Sequence, residues 1–587
     1  MALKAIPTTR DEMKKLGWDY VDIILFSGDA YIDHPAFAMG ILARVLENQG
    51  YKVAVVPQPN WRDDLRDFKK LGRPRLFFSV SAGAMDSMVN HYTAFKRLRS
   101  NDAYSPGGQP SLRPDYAVTV YTKILKRLYP DVPVVIGGIE ASLRRFTHYD
   151  YWQDKLLPTV LYSSGADYLT YGMGEKSMVQ MAEFVKSKIH SGANCSAALS
   201  CNVSLEEKME LKQTAFLDNS YLPGDSVILH SFEECLKSKK AFIENFNQIE
   251  MQANLAHPKR VVERIAEEYL YVNPPFDPLT TKELDEVYDL PYTFLPHPRY
   301  KNKTIPAFEM IKNSITIHRG CFGGCSFCTI AAHQGKFIQS RSRESILKEI
   351  KALSQLPHFK GVISDLGAPR ANMYMMGGKE KELCGKCRRK SCLYPNVCKN
   401  LNISYKELLK LYRQIDKMKE VKHSYVGSGV RYDLFLNKDG FLNPECKEYF
   451  QELVTKHVSG WFKVAPEHTE DKVLSLMNKP SFKLFERLKV EFEKSMKKAG
   501  LKEQIVPYFI SSHPGCTKDD MKALASHKAL KGVNTEQVQS ITPTPLTRSS
   551  VMYYTGLDPQ TLKPIFVERR LSGQKEQKSY FFSGKSK

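Results

Sequence analysis

The sequence has no apolar run that approaches the length needed to cross a lipid bilayer. A membrane-spanning helix needs about 20 consecutive, mostly apolar residues. Residues 1–15 also lack the apolar segment of a secretory signal peptide, because Lys4, Arg10, Asp11 and Glu12 are spread through them. From these absences we expect no membrane partner and a cytoplasmic protein.

Internal repeats, long low-complexity tracts and common nucleic-acid-binding patterns are missing as well. We find no helix-turn-helix, RNP or zinc-finger pattern. The formal net charge is nevertheless +21, and a basic surface favours polyanions through counterion release. The lysines are scattered through residues 406–422 and 483–502, which favours a solvated lysine-rich surface. Nucleic acid therefore remains a partner that no motif supports.

What the chain does contain is the composition of a large globular protein. It has 587 residues, of which 42% are hydrophobic and 25% charged, enough for two or three domains. In the reducing cytoplasm its 12 cysteines are expected to be thiols or metal ligands and not disulfides. Five of them show no partner spacing and are interpreted as structural: Cys195, Cys201, Cys235, Cys446 and Cys516.

The most informative group is Cys321, Cys325 and Cys328, separated by three and then two residues. Thiolates suit iron–sulfur clusters and zinc. Three ligands in one tight loop leave a fourth metal position without a nearby protein ligand, as in catalytic metal sites. The loop is rich in glycine, which allows the backbone to wrap closely round a bulky group. The alternatives are a zinc knuckle or three unrelated core cysteines.

A second group, Cys384, Cys387, Cys392 and Cys398, also has the spacing of a ligand set. Four cysteines within 15 residues could ligate zinc or a second iron–sulfur cluster. Spacing does not decide between the two metals, and free thiols in an insertion are the alternative. Four cations would offset the thiolate charge: Lys386, Arg388, Arg389 and Lys390.

Residues 1–190 alternate between short apolar segments and helical patterns. The predicted strands are Asp22–Phe26, Lys52–Val56, Arg75–Val80, Val132–Ile136 and Asp167–Thr170. Such alternation predicts an α/β domain with a parallel, Rossmann-like sheet. Glycine-containing turns follow these strands, among them Gly137-Gly138 and Gly172-Met173-Gly174.

The rest of the chain is predicted to form a connector, a second α/β domain and a tail. Residues 191–300 are predicted as a helical and proline-rich connector, beginning with a polar link at Ser191–Asn202. Residues 301–560 are predicted as a partial (β/α)6 barrel with a cysteine-rich insertion at 384–398, and residues 561–587 as a basic tail. The barrel strands are predicted at Ser314–His318, Val362–Ser364, Ser424–Gly427, Trp461–Val464, Gln504–Ile510 and Gln537–Ile541.

The Cys321–Cys328 loop resembles the signature of the radical S-adenosylmethionine (SAM) superfamily. Further runs resemble the YgiQ family of radical-SAM proteins over nearly the whole chain: Gly28–Pro35, Gly137–Ser142, His333–Lys336, Gln339–Ser342, Ala371–Tyr374, Val464–His468 and Met477–Pro480. The resemblance implies that Cys321, Cys325 and Cys328 hold a 4Fe–4S cluster and carry the catalytic role. It also implies SAM as cosubstrate, reductive SAM cleavage to a 5′-deoxyadenosyl radical, and an electron donor such as flavodoxin or ferredoxin.

Several residues after the barrel strands are predicted SAM contacts on this resemblance. They are Phe327, Asp365, Gly367, Ala368, Ser428 and Arg431. Arg431 is predicted to pair with the SAM carboxylate, since a guanidinium matches a planar carboxylate. Gly367-Ala368-Pro369-Arg370 departs from the Gly-Gly-Pro-Thr expected in the family. Alanine adds only a methyl group, whereas Arg370 adds charge near the pocket.

The N-terminal domain resembles the cobalamin-binding type of Rossmann-like domain. Its usual D-x-H-x-x-G motif is absent, because Asp33 and His34 are adjacent and Pro35 follows. Cobalamin could therefore bind only without that histidine ligand. Longer family members carry a C-terminal extension that is mostly missing from this sequence.

The sequence thus predicts a radical-SAM enzyme whose substrate the resemblance does not identify. A non-catalytic, zinc-binding protein associated with RNA is the alternative. The two differ in metal content, since an iron–sulfur protein is brown and contains sulfide, whereas a zinc protein is colourless.

Overall fold

The computed structural model describes residues 5–190, 203–437, 439–533, 535 and 537–582. The predicted link Ser191–Asn202, with Cys195 and Cys201, lies outside the described residues. The chain divides into two compact units. The N-terminal unit comprises residues 1–252, 257–277 and 286–312, and the C-terminal unit comprises residues 253–256, 278–285 and 313–587.

The N-terminal unit is built on one large sheet. Its strands are β1 Ile23–Ser27, β2 Ile32–Asp33, β3 Val53–Pro57, β4 Phe77–Ser81, β5 Val134–Gly137, β6 His148–Asp150, β7 Lys155–Leu157, β8 Tyr168–Thr170, β9 Thr214–Asp218, β10 Ser226–Ile228, β11 Arg260–Ile265, β12 Glu268–Val272 and β13 Leu295–Pro296. β6 and β7 form a short hairpin, and β2 and β13 form a separate antiparallel pair. The other nine strands form a sheet in the order β10-β11-β12-β9-β8-β5-β4-β1-β3. The strands from β3 to β8 in this order are parallel, which confirms the predicted α/β class and the five predicted strands.

Helices alternate with these strands because apolar residues recur at helical spacing between them. Over residues 5–312 the helices are Arg10–Lys15, Ala38–Asn48, Arg66–Lys69, Ser87–His91, Ala117–Leu128, Gly138–Leu143, Val160–Ser164, Glu175–His190, Leu205–Met209, Phe232–Lys237, Lys239–Asn254, Thr281–Tyr288 and Pro306–Ile311. The helix Ala38–Asn48 buries Ile41, Val45 and Leu46. The core of the unit includes these helix faces and the fully buried strand residues such as Ile23 and Val53.

The segment 191–300, predicted as a connector, contributes β9 to β12 to this sheet. β11 and β12 form an antiparallel hairpin in which Ile265 pairs with Glu268. Its two-residue turn is Ala266-Glu267, and Ala266 has a φ of 53°. Such turns usually contain glycine or asparagine, so the hairpin has no turn signal in the sequence. The last helix before this hairpin is Lys239–Asn254.

The C-terminal unit contains shorter strands. They are β14 Ser314–Thr316, β15 His318–Arg319, β16 Gln339–Ser340, β17 Val362–Ile363, β18 Asp365–Gly367, β19 Gly377–Gly378, β20 Leu401–Asn402, β21 His423–Ser424, β22 Trp461–Glu467, β23 Gln504–Ser511 and β24 Val538–Ser540. Its helices are Ile330–Gln334, Arg343–Ser354, Lys381–Gly385, Lys406–Ile415, Pro444–Lys456, Asp471–Leu476, Lys483–Ala499, Lys518–Ala525, Arg548–Thr555 and Leu571–Ser579.

Six parallel segments of this unit pair in chain order, as a partial (β/α)6 barrel requires. The second barrel strand consists of β17 and β18, which follow each other along the chain. β18 pairs with β14 on one side, and β17 pairs with β21 on the other. A parallel bridge joins Val430 to Val464, after which β22 pairs with β23 and β23 with β24. This pairing confirms the predicted barrel architecture, and it brings the loops after the strands to one edge. No described helix combines the length and apolar content that crossing a bilayer requires.

Candidate metal centre

The Cys321–Cys328 loop directly follows the first barrel strand. Gly320 begins the turn with a φ of 86°, and a Cβ there would collide with the Phe337 carbonyl oxygen. The Gly320 amide donates to the Gln334 side chain at 3.1 Å. The conformation therefore requires glycine at position 320.

His318 connects the start of this loop to the loop after the second barrel strand. Its imidazole is fully buried, and Nε2 lies 3.0 Å from the Arg370 carbonyl oxygen. Burial lowers the pKa of His318 to about 4, so the ring is neutral and Nε2–H donates. The contact holds the Arg370 loop beside the cysteines.

The middle of the loop is fixed by a buried hydroxyl and imidazole network. Ser326 lies 2.9 Å from Ser549 Oγ and 3.3 Å from His513 Nε2. Ser549 Oγ is 2.7 Å from the same nitrogen, while His513 Nδ1 lies 2.8 Å from the Pro514 carbonyl oxygen. The Ser549 amide also donates to the Ser326 carbonyl at 3.0 Å. Residues from the last barrel units thus fix the cysteine loop.

The three thiols of the loop influence each other electrostatically. Burial, with the neighbouring Cys325 thiol, raises the pKa of Cys321. Burial also raises the pKa of Cys328 to about 12, with contributions from Cys325 and Cys321. Three thiolates in this space need compensating positive charge, which a metal supplies. In the part of the chain that the structure describes, however, no group of three or more His, Cys, Asp or Glu side chains has a metal-holding arrangement.

Arg431 is a cation in direct contact with one of these thiols. Its Nη1 donates to Cys325 Sγ at 3.2 Å, while Nε and Nη2 bind the two Asp433 carboxylate oxygens at 2.9 and 2.5 Å. Asn372 exchanges two hydrogen bonds with the Arg431 backbone, at 2.8 and 2.9 Å. Burial alone would lower the pKa of Arg431, but Asp433 and Cys325 raise it well above its usual value. The predicted pairing with a SAM carboxylate stays a prediction, and it would compete with Asp433.

Asp365 and Ser428 join the ends of the second and third barrel strands. One Asp365 oxygen accepts the Gly427 and Ser428 amides at 2.8 and 3.0 Å, and the other accepts the Ser428 hydroxyl at 2.5 Å. A Cβ at Gly367 would collide with the same carboxylate. Burial raises the pKa of Asp365, although these hydrogen bonds oppose the shift. Through these hydrogen bonds, Asp365 and Ser428 hold the ends of the second and third barrel strands together.

The remaining predicted SAM contacts, Phe327 and Ala368, are half-buried. The Phe327 ring meets the His513 ring edge to face at a centroid distance of 6.4 Å. The structure places both residues on the loops that carry the cysteines and Asp365. Their contact with SAM stays a prediction.

A buried ion pair beside the centre was not predicted from the sequence. Lys479 Nζ lies 3.7 Å from Glu467 Oε1, and both side chains are almost fully buried. Burial lowers the pKa of Lys479 and raises that of Glu467. The neighbouring Asn478 donates to the Gly324 carbonyl at 3.0 Å. Glu467 and Lys479 lie in the runs Val464–His468 and Met477–Pro480, which the sequence analysis named for their family resemblance without assigning roles.

The second cysteine group lies against the first loop. The Cys392 amide donates to the Phe322 carbonyl at 3.0 Å, and Ser391 Oγ donates to the Gly323 carbonyl at 2.7 Å. All four thiols of the group are half-buried. Burial and the neighbouring Cys398 and Cys387 thiols raise the pKa of Cys392. The positive charges of Lys336 and Arg389 oppose this rise. The Cys384 thiol instead accepts from Asn400 Nδ2 at 3.4 Å.

In the N-terminal unit, the carboxyl ends of β1 and β4 are closed by ionic side chains. Arg113 Nη2 lies 2.7 Å from Asp29 and 3.0 Å from Asp102, and all three residues are buried. His34 is also buried, accepts from the Ala36 amide at 3.0 Å, and packs against Phe294. The environment of His34 is that of a packed core residue.

Comparisons with known proteins identify the family of the chain. A family model described as Radical SAM N-terminal matches residues 5–314. A UPF0313 protein of Bacteroides thetaiotaomicron is 53% identical over 582 residues, covering 98% of this chain and 93% of the relative. The chain belongs to the UPF0313 family. A UPF0313 protein of Porphyromonas gingivalis is 51% identical, covering 98% of this chain and 90% of its own. UPF0313 is the YgiQ family, so the predicted family is confirmed.

Solved structures resemble this UPF0313 chain more weakly. The radical SAM methyltransferase TsrM from Kitasatospora setae, with cobalamin and a 4Fe–4S cluster bound, is 13% identical with a TM-score of 0.47, covering 90% of this chain and 74% of its own. The cobalamin-dependent radical SAM enzyme OxsB is 10% identical with a TM-score of 0.44, covering 90% of this chain and 55% of its own. At TM-scores below 0.5 these likenesses carry no argument. The family model and the relatives support a radical-SAM type of enzyme.

Proposed function

We propose that this protein is a radical-SAM enzyme with its reactive centre at Cys321, Cys325 and Cys328. The observation that carries the proposal is the setting of the three thiols at the carboxyl edge of a parallel barrel, where Cys321 is buried, Cys325 and Cys328 are half-buried, and Arg431 donates to Cys325. Family membership supports the same chemistry. When bound, a 4Fe–4S cluster would supply the electron that cleaves SAM to methionine and a 5′-deoxyadenosyl radical.

The residues fit such a group in three respects. The three thiols are soft ligands and repel each other as thiolates, so a cationic cluster would relieve the repulsion. Arg431 offers an N–H group at 3.2 Å from Cys325 Sγ, and such outer hydrogen bonds tune metal–thiolate sites. Gly323 leaves the space beside Cys321 open, since a Cβ there would lie 3.3 Å from its sulfur and 2.7 Å from Arg431.

We assign SAM to the same edge of the barrel. Phe327, Gly367 and Ala368 would supply its apolar and backbone contacts, while Asp365 and Ser428 hold the strand ends in place. Burial raises the pKa values of Cys321, Cys328 and Glu467, and the charge of Arg370 opposes this rise at all three groups, so it lies within electrostatic reach of the centre. Its guanidinium is a second cation to which the SAM carboxylate could bind, besides Arg431.

The second cysteine group would hold zinc or another iron–sulfur cluster through Cys384, Cys387, Cys392 and Cys398. Both metals suit four thiolates. In the cytoplasm, where we place the protein, flavodoxin or ferredoxin would supply electrons. The substrate remains unassigned.

The test is anaerobic purification followed by iron and sulfide analysis and an assay for 5′-deoxyadenosine with dithionite and SAM. Replacing Cys321, Cys325 and Cys328 together with alanine should remove about four irons per chain and abolish 5′-deoxyadenosine formation. Cys446→Ala is the control, because Cys446 is buried outside both cysteine groups, and it should keep both properties. Unchanged iron in the triple variant, or a colourless wild-type protein that contains only zinc, would contradict the proposal.

A further inference from the structure

The N-terminal unit buries four arginines, and three of them have carboxylate partners. Arg44 pairs with Asp33 and Glu47. Arg113 pairs with Asp29 and Asp102, and Arg144 pairs with Asp86 and lies 3.8 Å from Asp150. Each pairing offsets the cost of removing a guanidinium from water, which is large for an unpaired charge.

Arg145 is the exception among these four. It is 5% exposed, yet none of the described carboxylates forms an ion pair with it. Its Nη1 donates to the Ser142 carbonyl at 2.5 Å, while Nε is buried without a hydrogen-bond partner. The guanidinium lies over the Tyr171 ring at 4.7 Å and over the Phe146 ring at 5.2 Å. Burial lowers the pKa of Arg145 to about 10, so it remains a cation at neutral pH.

The surroundings of Arg145 are held in place by the protein. The Tyr171 hydroxyl donates to the Asn273 carbonyl at 2.6 Å, and the Tyr171 carbonyl accepts from Gln213 at 2.7 Å. The Gly172 amide donates to Ser142 Oγ at 3.0 Å. A guanidinium held against a fixed aromatic ring is already oriented for a planar, bidentate contact with an anion.

Arg145 also lies where α/β sheets bind ligands. It follows the helix after β5, and Tyr171 follows β8, and these two strands are parallel neighbours. Ligands of such sheets bind beyond the carboxyl ends of the strands. Residues 171–174, which include Gly172 and Gly174, are half-buried, so this edge reaches solvent. The corresponding edge at β1 and β4 is filled by Arg113 and its two carboxylates.

We infer that Arg145 is the centre of an oxyanion-binding site in the N-terminal unit. Its ligand is the phosphate or carboxylate group of a small molecule, bound through the Arg145 guanidinium at the β5 and β8 edge. The ligand supplies the counter-charge that Arg145 lacks in the protein. The site involves neither cysteine group.

The test measures thermal unfolding of the full-length protein against inorganic phosphate and, separately, against malonate, at constant ionic strength. The variants are Arg145→Gln and Arg145→Lys. Arg264→Gln is the control, because Arg264 belongs to the same unit and is exposed. At about 100 times its Kd, a binding anion should raise the unfolding midpoint of the wild type and the control by roughly 5 °C.

Arg145→Gln should abolish this shift, and Arg145→Lys should weaken the affinity about tenfold, because an ammonium cannot make the bidentate contact. A shift with phosphate alone identifies a phosphate site, and a shift with malonate alone a carboxylate site. If Arg145→Gln does not fold, the affinity of Arg145→Lys decides. No shift in the wild type, or equal affinity in the Arg145 variants, overturns the inference and leaves Arg145 as a cation held by aromatic rings.

Discussion

The loop 321–328 and the insertion 384–398 both carry closely spaced cysteines, but the fold holds them differently. Buried side chains from later barrel units, among them His513 and Ser549, fix the loop. The insertion is held mainly by contacts within itself and by hydrogen bonds to the loop, such as that from Ser391 to Gly323. The barrel therefore fixes the first loop through its own side chains. We propose that the insertion, by contrast, is ordered by the metal that it would bind.

The largest expected effect is the different response of the two cysteine groups to removal of metal. Chelation or Cys387→Ala should lower the total metal content and expose the insertion, because metal binding is coupled to local folding. Trypsin should then cut more rapidly after Lys386, Arg388, Arg389 and Lys390, with no change after Arg319 or Lys336. Mass spectrometry of the fragments measures this, with Cys446→Ala as control. Identical metal content and fragments in Cys387→Ala would show that the insertion carries free thiols.

Two glycine substitutions test whether the backbone of the loop 321–328 is more constrained than that of the insertion 384–398. Gly320→Ala should cost roughly 2–4 kcal/mol, since its positive φ and the Phe337 carbonyl both oppose a Cβ. Gly385→Ala meets no atom within 4 Å and ends the helix Lys381–Gly385. It should leave stability unchanged or raise it by up to about 1 kcal/mol.

Urea unfolding of both glycine variants gives this comparison. Equal stabilities of Gly320→Ala and Gly385→Ala would mean that the first loop is no more constrained than the insertion.

The smallest expected effect is a pH dependence of the first loop. Burial lowers the pKa of His513 to about 4 from 6.5, so the folded protein keeps it neutral. Below pH 6.5, His513 is protonated in the unfolded chain but stays neutral in the folded protein. His513 should therefore contribute a loss of stability of at most about 1.4 kcal/mol per pH unit as the pH falls from 6.5 to 4.

His513→Gln should remove this contribution from the slope of stability against pH. The control is His423→Gln at an exposed position, which should leave the contribution in place. Urea unfolding at pH 7.0 and 5.5 measures both slopes. The same slope in His513→Gln as in the wild type would show that His513 is not held neutral.

The sequence predicted those features that depend on neighbours in the chain. Buried apolar runs followed by glycine or polar residues marked the barrel strands, and the spacing of Cys321, Cys325 and Cys328 marked the loop after the first strand, whose role as a ligand loop stays a prediction. Both signals are local, because a strand or a loop is formed by consecutive residues.

Contacts between distant residues were not predictable in this way. Nothing near Ser326 indicates its bond to Ser549, and Lys479 and Glu467 pair only because of the loop geometry after β22. Ala266-Glu267 turns a hairpin without a turn residue, so the strands β11 and β12 were missed. For Arg145, the sequence shows the arginine but not that carboxylates are absent around it.

The bond between Ser326 and Ser549 also has a consequence for the timing of biosynthesis. The two residues are 223 positions apart, and ribosomes add about 5–20 residues per second. The cysteine loop is therefore translated roughly 10–45 seconds before Ser549, to which it is hydrogen-bonded in the folded protein. During that interval the loop lacks the contact that fixes its middle in the folded protein. The loop proposed to carry the chemistry is thus made early and secured late.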